Sequence, residues 1–140
     1  MVGRGGIGIL ELKTFNMVTI NNGIVGTFVF RNEGDGCLNA KYMNEDERLP
    51  FTESCVLQQR NPNHQGYIGR YETAWFERNR IRQGGVLSID QNTGNNAANA
   101  FTFFLEWRQQ NNLIFQGIGM VSGELLVGAY WGIDHNGDHP

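Results

Sequence analysis

The second half of this chain consists of short stretches in which apolar and polar residues alternate, separated by turns rich in glycine and asparagine. Alternation at every second position puts one set of side chains on each face of a β-strand. Five such stretches, most of which end in an aromatic residue, occupy residues 66–76, 85–90, 101–107, 113–120 and 124–131. Their even spacing predicts an antiparallel sheet that closes into a barrel or sandwich.

The first half of the chain continues this pattern less regularly, at residues 7–14, 17–21, 24–31, 37–43 and 50–58. No amphipathic helix of normal length fits anywhere, and 140 residues suit one domain with its own core. We therefore predict an all-β fold, a single antiparallel up-and-down (meander) β-barrel of eight or nine strands. The predicted barrel covers residues 7–132, preceded by a flexible leader at 1–6 and followed by a disordered tail at 133–140.

Composition and charge exclude several classes of function. A formal net charge of −3 leaves no basic surface for phosphate contacts, so we expect no nucleic-acid partner. No segment approaches the ~20 apolar residues that a membrane-spanning helix needs, and the N-terminus lacks a signal-peptide pattern. We therefore expect no membrane association and a cytoplasmic location. Two cysteines do not form a disulfide framework, and reduced thiols fit this location.

Two motifs resemble cofactor or metal sites but lack the necessary context. The glycine string at residues 3–8 matches G-x-G-x-x-G, yet no strand precedes it and no helix follows. Asp134 to His139 contains oxygen and imidazole donors, but at the chain end rather than on a rigid scaffold. We expect neither a cofactor nor a metal site.

Turn residues predict the register of three hairpins. Asn22-Gly23 suits a two-residue type I′ turn, which sets Val18 opposite Thr27. Pairing around the loop near Asp46 places Cys37 opposite Cys55, either as a reduced buried pair or as a disulfide. A last turn at Ser122-Gly123 sets Gly119 opposite Leu126 and Gly117 opposite Gly128, and we expect Trp107 or Trp75 to pack over these glycines.

Alternation also assigns side chains to the two faces of the sheet. Tyr67, Tyr71, Thr73 and Trp75 should point inward, as should Phe103, Leu105 and Trp107 on a later strand. The charged set on the other face comprises Arg70, Glu72, Glu106 and Arg108, which would form a buried polar cluster if the assignment were inverted. Phe76 and Phe104 then lie on the outer wall, which predicts a homodimer or homotetramer.

Glu53 shares a strand face with Phe51, Cys55 and Leu57, so it is a carboxylate among apolar neighbours. Such a group requires a partner or a raised pKa, and it could bind a polar group of a ligand. Tyr and Trp lining the same interior suggest a cavity, because their polar atoms also need partners. The predicted ligand-binding residues are Tyr42, Glu53, Tyr71, Trp75 and Trp107.

The order of motifs in the last half of the chain resembles that of small bacterial lipocalin-like barrel proteins. Tyr71-Glu72, the Gly-x-Leu-x-Ile of residues 85–89, Leu105-Glu-Trp107, the Phe-x-Gly-x-Gly of residues 115–119 and the closing Gly128-Ala-Tyr130 carry this resemblance. It implies a calycin-like barrel similar to those of lipocalins and avidins, with Trp107 placed like an avidin pocket tryptophan. The Gly-x-Trp opening motif of both groups is absent from residues 7–14.

Three functions follow from this interpretation. The first is binding of a small, partly apolar molecule inside the barrel. The second is an isomerase or cyclase that uses Glu53 or Glu72 as an inward acid or base. The third is a structural or oligomerising protein whose core is filled by its own side chains.

Overall fold

A computed structural model of the chain describes residues 20–45, 47–59, 66–76, 81–91 and 102–134. The predictions for the leader, for the strand at residues 7–14, for Val18 and for the histidine-containing tail lie outside these residues. Eight strands are formed: β1 Ile20–Gly34, β2 Cys37–Asn44, β3 Glu47–Leu57, β4 Gly69–Phe76, β5 Arg82–Gln91, β6 Thr102–Gln109, β7 Asn112–Ser122 and β8 Leu125–Asp134. In the described part of the chain, no helix is long and apolar enough to cross a membrane.

The eight strands form one closed antiparallel barrel in chain order, and β1 pairs with β8 to complete it. This confirms the predicted all-β, up-and-down, calycin-like barrel. Closure removes both free edges of the sheet, so each strand backbone is paired on two sides. β8 includes Ile133 and Asp134, so the last strand ends two residues beyond the predicted boundary at residue 132.

The predicted inward and outward faces are confirmed. Tyr71, Trp75 and Trp107 are buried in the barrel core. Ile68 and Phe76, the predicted outward residues of the same segment, are more than 40% exposed. Glu106 and Arg108, the charged residues of β6, also point outward, since Arg108 Nη1 and Glu106 Oε1 form an ion pair 3.1 Å apart at the surface. The inverted assignment, with a buried charged cluster, is therefore wrong.

The hairpin predicted at Asn22-Gly23 is wrong. Residues 20–34 form one long strand, in which Thr27 pairs with Met43 on β2 and with Ala129 on β8. Gly23 does adopt a positive φ of 93°, but it lies in a bulge where the β1–β8 register shifts. A residue that tolerates positive φ fits a bulge as well as a turn, and pairing with the neighbouring strands determines which of the two forms. The first turn in the described chain is instead Asp35-Gly36, both with positive φ.

The register predicted for the two cysteines is wrong by one residue. β2 and β3 are adjacent and antiparallel as expected, but Cys55 pairs with Leu38, and Cys37 pairs with Val56. An irregularity between Tyr42 and Asn44 shifts the pairing. Because a slip of one residue moves a side chain to the opposite face, Cys55 is buried inside and Cys37 is partly exposed outside. Both thiols are free, so neither the buried pair nor the disulfide is formed.

The turn of the last hairpin lies one residue later than predicted, which shifts the pairing of β7 with β8 by two residues. Ser122 pairs with Leu125, so the turn is formed by Gly123-Glu124, and Gly119 rather than Gly117 lies opposite Gly128. A shift of two residues preserves the faces, and the glycines still point inward. A Cβ on Gly117 would lie 3.2 Å from Trp107 Cζ3, so the indole does pack over this patch as predicted.

One end of the barrel is closed by hydrogen bonds from two tyrosines. The Tyr67 hydroxyl lies 2.5 Å from the Glu124 carbonyl oxygen and 3.2 Å from that of Phe30. The Tyr71 hydroxyl donates to the Tyr67 carbonyl at 2.8 Å. These bonds tie the segment before β4 to the β7–β8 turn across the barrel, and we call this the Tyr67 end.

Candidate functional site

The opposite end of the barrel carries the β2–β3, β4–β5 and β6–β7 connections, and we call it the Tyr42 end. In the middle of the barrel, inward side chains such as Leu87 and Leu105 are 0% exposed. Toward the Tyr42 end, Trp107 and Tyr130 retain 5–7% exposure, and Tyr42 itself is partly exposed. Phe103 and Leu57 toward the Tyr67 end are exposed to the same extent, at 8% each. Among the described residues, the Tyr42 end differs by inward rings that are partly exposed, among them Tyr42 and Phe115.

Glu53 lies one inward position deeper in the barrel than Tyr42, since Tyr42 pairs with Phe51 and Ala40 pairs with Glu53. It sits on the inward face of β3, where it pairs with Ala40 on β2 and Trp75 on β4. Its side chain is 5% exposed and belongs to the buried polar residues of the barrel. The inward position of Glu53 follows from strand alternation, since its neighbours Thr52 and Ser54 point to solvent.

Three neutral side chains hydrogen-bond to the same carboxylate oxygen of Glu53. Trp107 Nε1 donates to Oε2 at 2.9 Å, and the Thr73 hydroxyl also donates to Oε2. The Cys55 thiol lies 3.7 Å from Oε2 and 3.4 Å from Thr73 Oγ1, so its single proton can serve either acceptor. None of the described residues donates to the second oxygen, Oε1. The carboxyl is therefore held in position through Oε2, while Oε1 has no hydrogen-bond donor among the described residues.

Burial raises the pKa of the Glu53 carboxyl above its usual value of 4.5. The hydrogen bonds from Thr73, Trp107 and Cys55 favour the ionised form and oppose this shift, but desolvation outweighs them. No lysine or arginine of the described chain contributes to the shift. Glu53 is thus a buried acid whose charge no cation among the described residues balances.

The Cys55 thiol is not a nucleophile in this environment. Burial, together with the charge of Glu53, raises its pKa well above the usual range. Because the thiolate is the reactive species, a thiol that stays protonated is chemically inert. Cys55 acts here as a weak hydrogen-bond donor that helps to orient Thr73 and Glu53.

Aromatic rings surround the carboxyl on the side of the Tyr42 end. Phe115 makes edge-to-face contacts with Trp75 and Trp107, each with ring centroids 6.4 Å apart, and with Tyr130 at 5.7 Å. Tyr42 contacts Tyr130 at 6.3 Å and completes the ring cluster at the rim.

The structure brings together four of the five predicted site residues. Glu53, Trp75 and Trp107 are in direct contact or pair with one another, and Tyr42 joins them through Tyr130. Tyr71 is different, because its hydroxyl donates to the Tyr67 carbonyl and its ring is 0% exposed. It belongs to the core that closes the Tyr67 end and not to the aromatic cluster at the Tyr42 end.

Several residues of the site were not predicted from the sequence as ligand-binding residues. Thr73 and Cys55 orient Glu53, and Phe115 and Tyr130 link the tryptophans. Alternation had already placed Thr73 on the same face as Trp75, which was the available signal. The predicted alternative acid, Glu72, is exposed on the outer face, so it cannot serve the interior. The part of the chain that the structure describes contains no group of acidic, cysteine or histidine side chains that could hold a metal ion.

Comparison of the chain with protein-family models, with curated proteins and with solved structures gave no match.

Proposed function

We propose that this protein binds a small, partly apolar molecule in the barrel interior at the Tyr42 end. The observation that carries the proposal is the arrangement at Glu53, a buried carboxyl held by three neutral donors through Oε2, with Oε1 left open to a ligand. A buried polar atom without a partner is costly, and a ligand that bonds to it recovers that cost. The wall is formed by Trp75, Trp107 and Tyr42, together with Phe115 and Tyr130.

An isomerase or cyclase using the same carboxyl is the second candidate function. The raised pKa of Glu53 supports it, because a carboxyl that keeps its proton to higher pH is better suited to act as a general acid. Such an enzyme would also need a base that accepts a proton on the far side of the substrate. Within the described residues, Glu53 is the buried acid of the barrel, and the Cys55 thiol stays protonated. Ligand binding requires fewer functional groups than catalysis, so we propose binding ahead of enzymatic activity.

The wall can be tested with a neutral apolar fluorophore, N-phenylnaphthylamine. Its emission should rise and saturate on titration with the wild-type protein as the dye leaves water for the interior. We expect Trp75→Leu to weaken binding at least about fivefold, because truncating a buried aromatic contact costs about 1 kcal/mol or more.

Phe76→Leu is the matched control, since it makes a similar change one residue further along the same strand. The Phe76 side chain is 42% exposed on the outer face, so its replacement should leave the dye affinity unchanged. Equal losses in both variants, or none in Trp75→Leu, would show that the dye does not occupy the proposed wall. Native mass spectrometry of the freshly purified protein would add the mass of any co-purified molecule, and conversion of that molecule on incubation would favour the enzyme.

Self-association is a separate proposal, and the outer surface supplies its basis. An uncharged face runs across four neighbouring strands from β7 through β8 and β1 to β2. We call it the β7–β1 face, and its members are Ile118, Met120, Val127, Ala129, Val25, Val29 and Met43. Met120 is 58% exposed, and Ile118 pairs with Ala129, which in turn lies beside Thr27 and Met43. Phe104, the outer aromatic predicted to mark a contact, is 4% exposed within the single chain, so it does not serve this purpose.

We propose that a second copy of this chain covers the β7–β1 face. The members of the face carry no charge although the chain has a net charge of −3, and a charged residue that borders it in the described sheet is Lys41, which pairs with Val29. Two copies can therefore meet here without bringing acidic side chains together. At normal strand spacing it measures about 19 by 14 Å. This is well below the roughly 800 Å² that each partner contributes to a standard interface, so the dimer should be weak.

Sedimentation velocity over a range of concentrations tests the dimer. The wild-type protein should shift toward twice the chain mass as its concentration rises, and Met120→Lys should remain a monomer. Val56→Lys is the control, because Val56 is 43% exposed on the outer face of β3, away from the β7–β1 face. A wild-type protein that stays monomeric, or a Met120→Lys variant that still dimerises, would overturn this proposal.

A further inference from the structure

The environment of Glu53 also constrains the charge of the ligand. The three groups that hold Oε2 are an indole N–H, a hydroxyl and a thiol, all of them neutral donors. No cation of the described chain lies near enough to contribute to the electrostatics of the carboxyl. A buried carboxylate is stable when a positive charge is paired with it, and none of the described residues supplies that charge.

We infer that the molecule bound at the Tyr42 end is an organic amine, whose ammonium group binds Glu53 Oε1 while its apolar body lies among the aromatic rings. The inference rests on the proposed binding function and goes further by naming the class of ligand. An ammonium group supplies both the missing charge and the N–H donors that Oε1 lacks. Hydrogen bonds between two charged groups are roughly twice as strong as those between neutral groups.

The aromatic surroundings favour a cation as well. Trp75 lies on the strand position paired with Glu53, and Trp107 contacts both Phe115 and Tyr130. The face of an aromatic ring carries negative charge density and attracts an ammonium group within about 6 Å. A neutral ligand of the same shape would gain the apolar contact but neither this attraction nor the ion pair.

Proton linkage gives the inference a signature that simple apolar binding lacks. Because burial favours the protonated form of Glu53, binding an ammonium group requires the carboxyl to lose its proton. The affinity for the amine should therefore rise with pH until the carboxyl is ionised in the free protein, by up to about tenfold per pH unit. A neutral alcohol does not require this ionisation, and its affinity should not rise with pH.

Phenethylamine and phenethyl alcohol form a matched pair of probes, since they share one apolar body and differ in the terminal group. Isothermal titration of the wild-type protein at about pH 8 should give at least about tenfold tighter binding of the amine than of the alcohol. At about pH 5 this preference should shrink. Glu53→Gln, which keeps the shape of the side chain, should bind both probes with affinities within about threefold of each other.

Glu72→Gln is the matched control, because it removes a carboxylate from the exposed face of the neighbouring strand. It should leave the preference for the amine unchanged, and circular dichroism should show that both variants are folded. If the alcohol binds as tightly as the amine, or if Glu53→Gln keeps the preference, the ligand is not a cation, although the interior site remains. If neither probe binds while N-phenylnaphthylamine does, the amine inference is overturned and the proposed function survives. If none of the three binds, both are overturned.

Discussion

Gly128→Ala should lower the free energy of unfolding by about 3 kcal/mol or more, because the barrel has no space for a single methyl group at this position. A Cβ on Gly128 would lie 2.1 Å from the Ile118 carbonyl oxygen and 2.7 Å from Gly119 Cα. Both are backbone atoms of β7, so the clash is relieved only if the two strands separate. Phe28 Cζ, at 2.8 Å, adds a third contact from inside the barrel. Urea denaturation followed by circular dichroism measures the loss.

The control for this experiment is Gly84→Ala on β5. There a Cβ would lie 3.6 Å from the Thr73 carbonyl oxygen, which is an ordinary van der Waals contact. Gly84 is exposed, and we expect its replacement to change stability by no more than about 0.5 kcal/mol. If Gly128→Ala were as stable as Gly84→Ala, the pairing of Gly119 with Gly128 would be incorrect.

Stability should fall as the pH rises through the range in which Glu53 ionises. A carboxyl whose pKa is raised on folding holds its proton more tightly in the folded protein than in the unfolded chain. Between the usual pKa of 4.5 and the higher pKa of the folded state, the folded protein therefore binds more protons. In this window the contribution of Glu53 to the free energy of unfolding should decline by up to about 1.4 kcal/mol per pH unit.

Glu53→Gln isolates this contribution, because the amide oxygen can still accept from Trp107 and Thr73 while the side chain carries no charge. Below pH 4.5 the variant and the wild-type protein should have similar stabilities, and above the window the variant should be the more stable. Urea midpoints at several pH values measure the difference, with Glu72→Gln as the exposed control. A variant that is less stable than wild type at about pH 8 would show that the ionised carboxylate stabilises the fold.

The sequence predicted the class of fold and the faces of the strands correctly because both depend on local alternation. A period of two is a property of each strand by itself, so Trp75 and Phe76 could be assigned to opposite faces without knowledge of their neighbours. The same alternation selected Glu53 as the carboxylate among apolar residues. Trp107, Trp75 and Tyr42 followed from their inward positions, which pairing errors of two residues do not alter.

Strand register was harder to predict from the sequence, because it depends on turns and bulges that are defined by two strands together. Asn22-Gly23 has the composition of a tight turn, yet β1 continues through it since β2 and β8 pair with it on both sides. The irregularity beside Tyr42 moved Cys37 out of the barrel, and nothing in that strand's own sequence signals it. The residue type determines which φ values are allowed, whereas pairing with the neighbouring strand determines whether a positive φ forms a turn or a bulge.

The composition of the site was decided by closure of the barrel. Glu53 on β3 meets Trp107 on β6, and these residues are 54 positions apart in the chain. Alternation placed both inside but could not show that the indole N–H reaches Oε2, or that Thr73 and Cys55 bind the same oxygen. It also could not separate Tyr71, which is hydrogen-bonded to Tyr67 at one end, from the tryptophans toward the Tyr42 end. The sequence alone determined which side chains point inward, because that is local, and the tertiary structure decided which of them meet, because contacts across a barrel depend on the register of every strand between them.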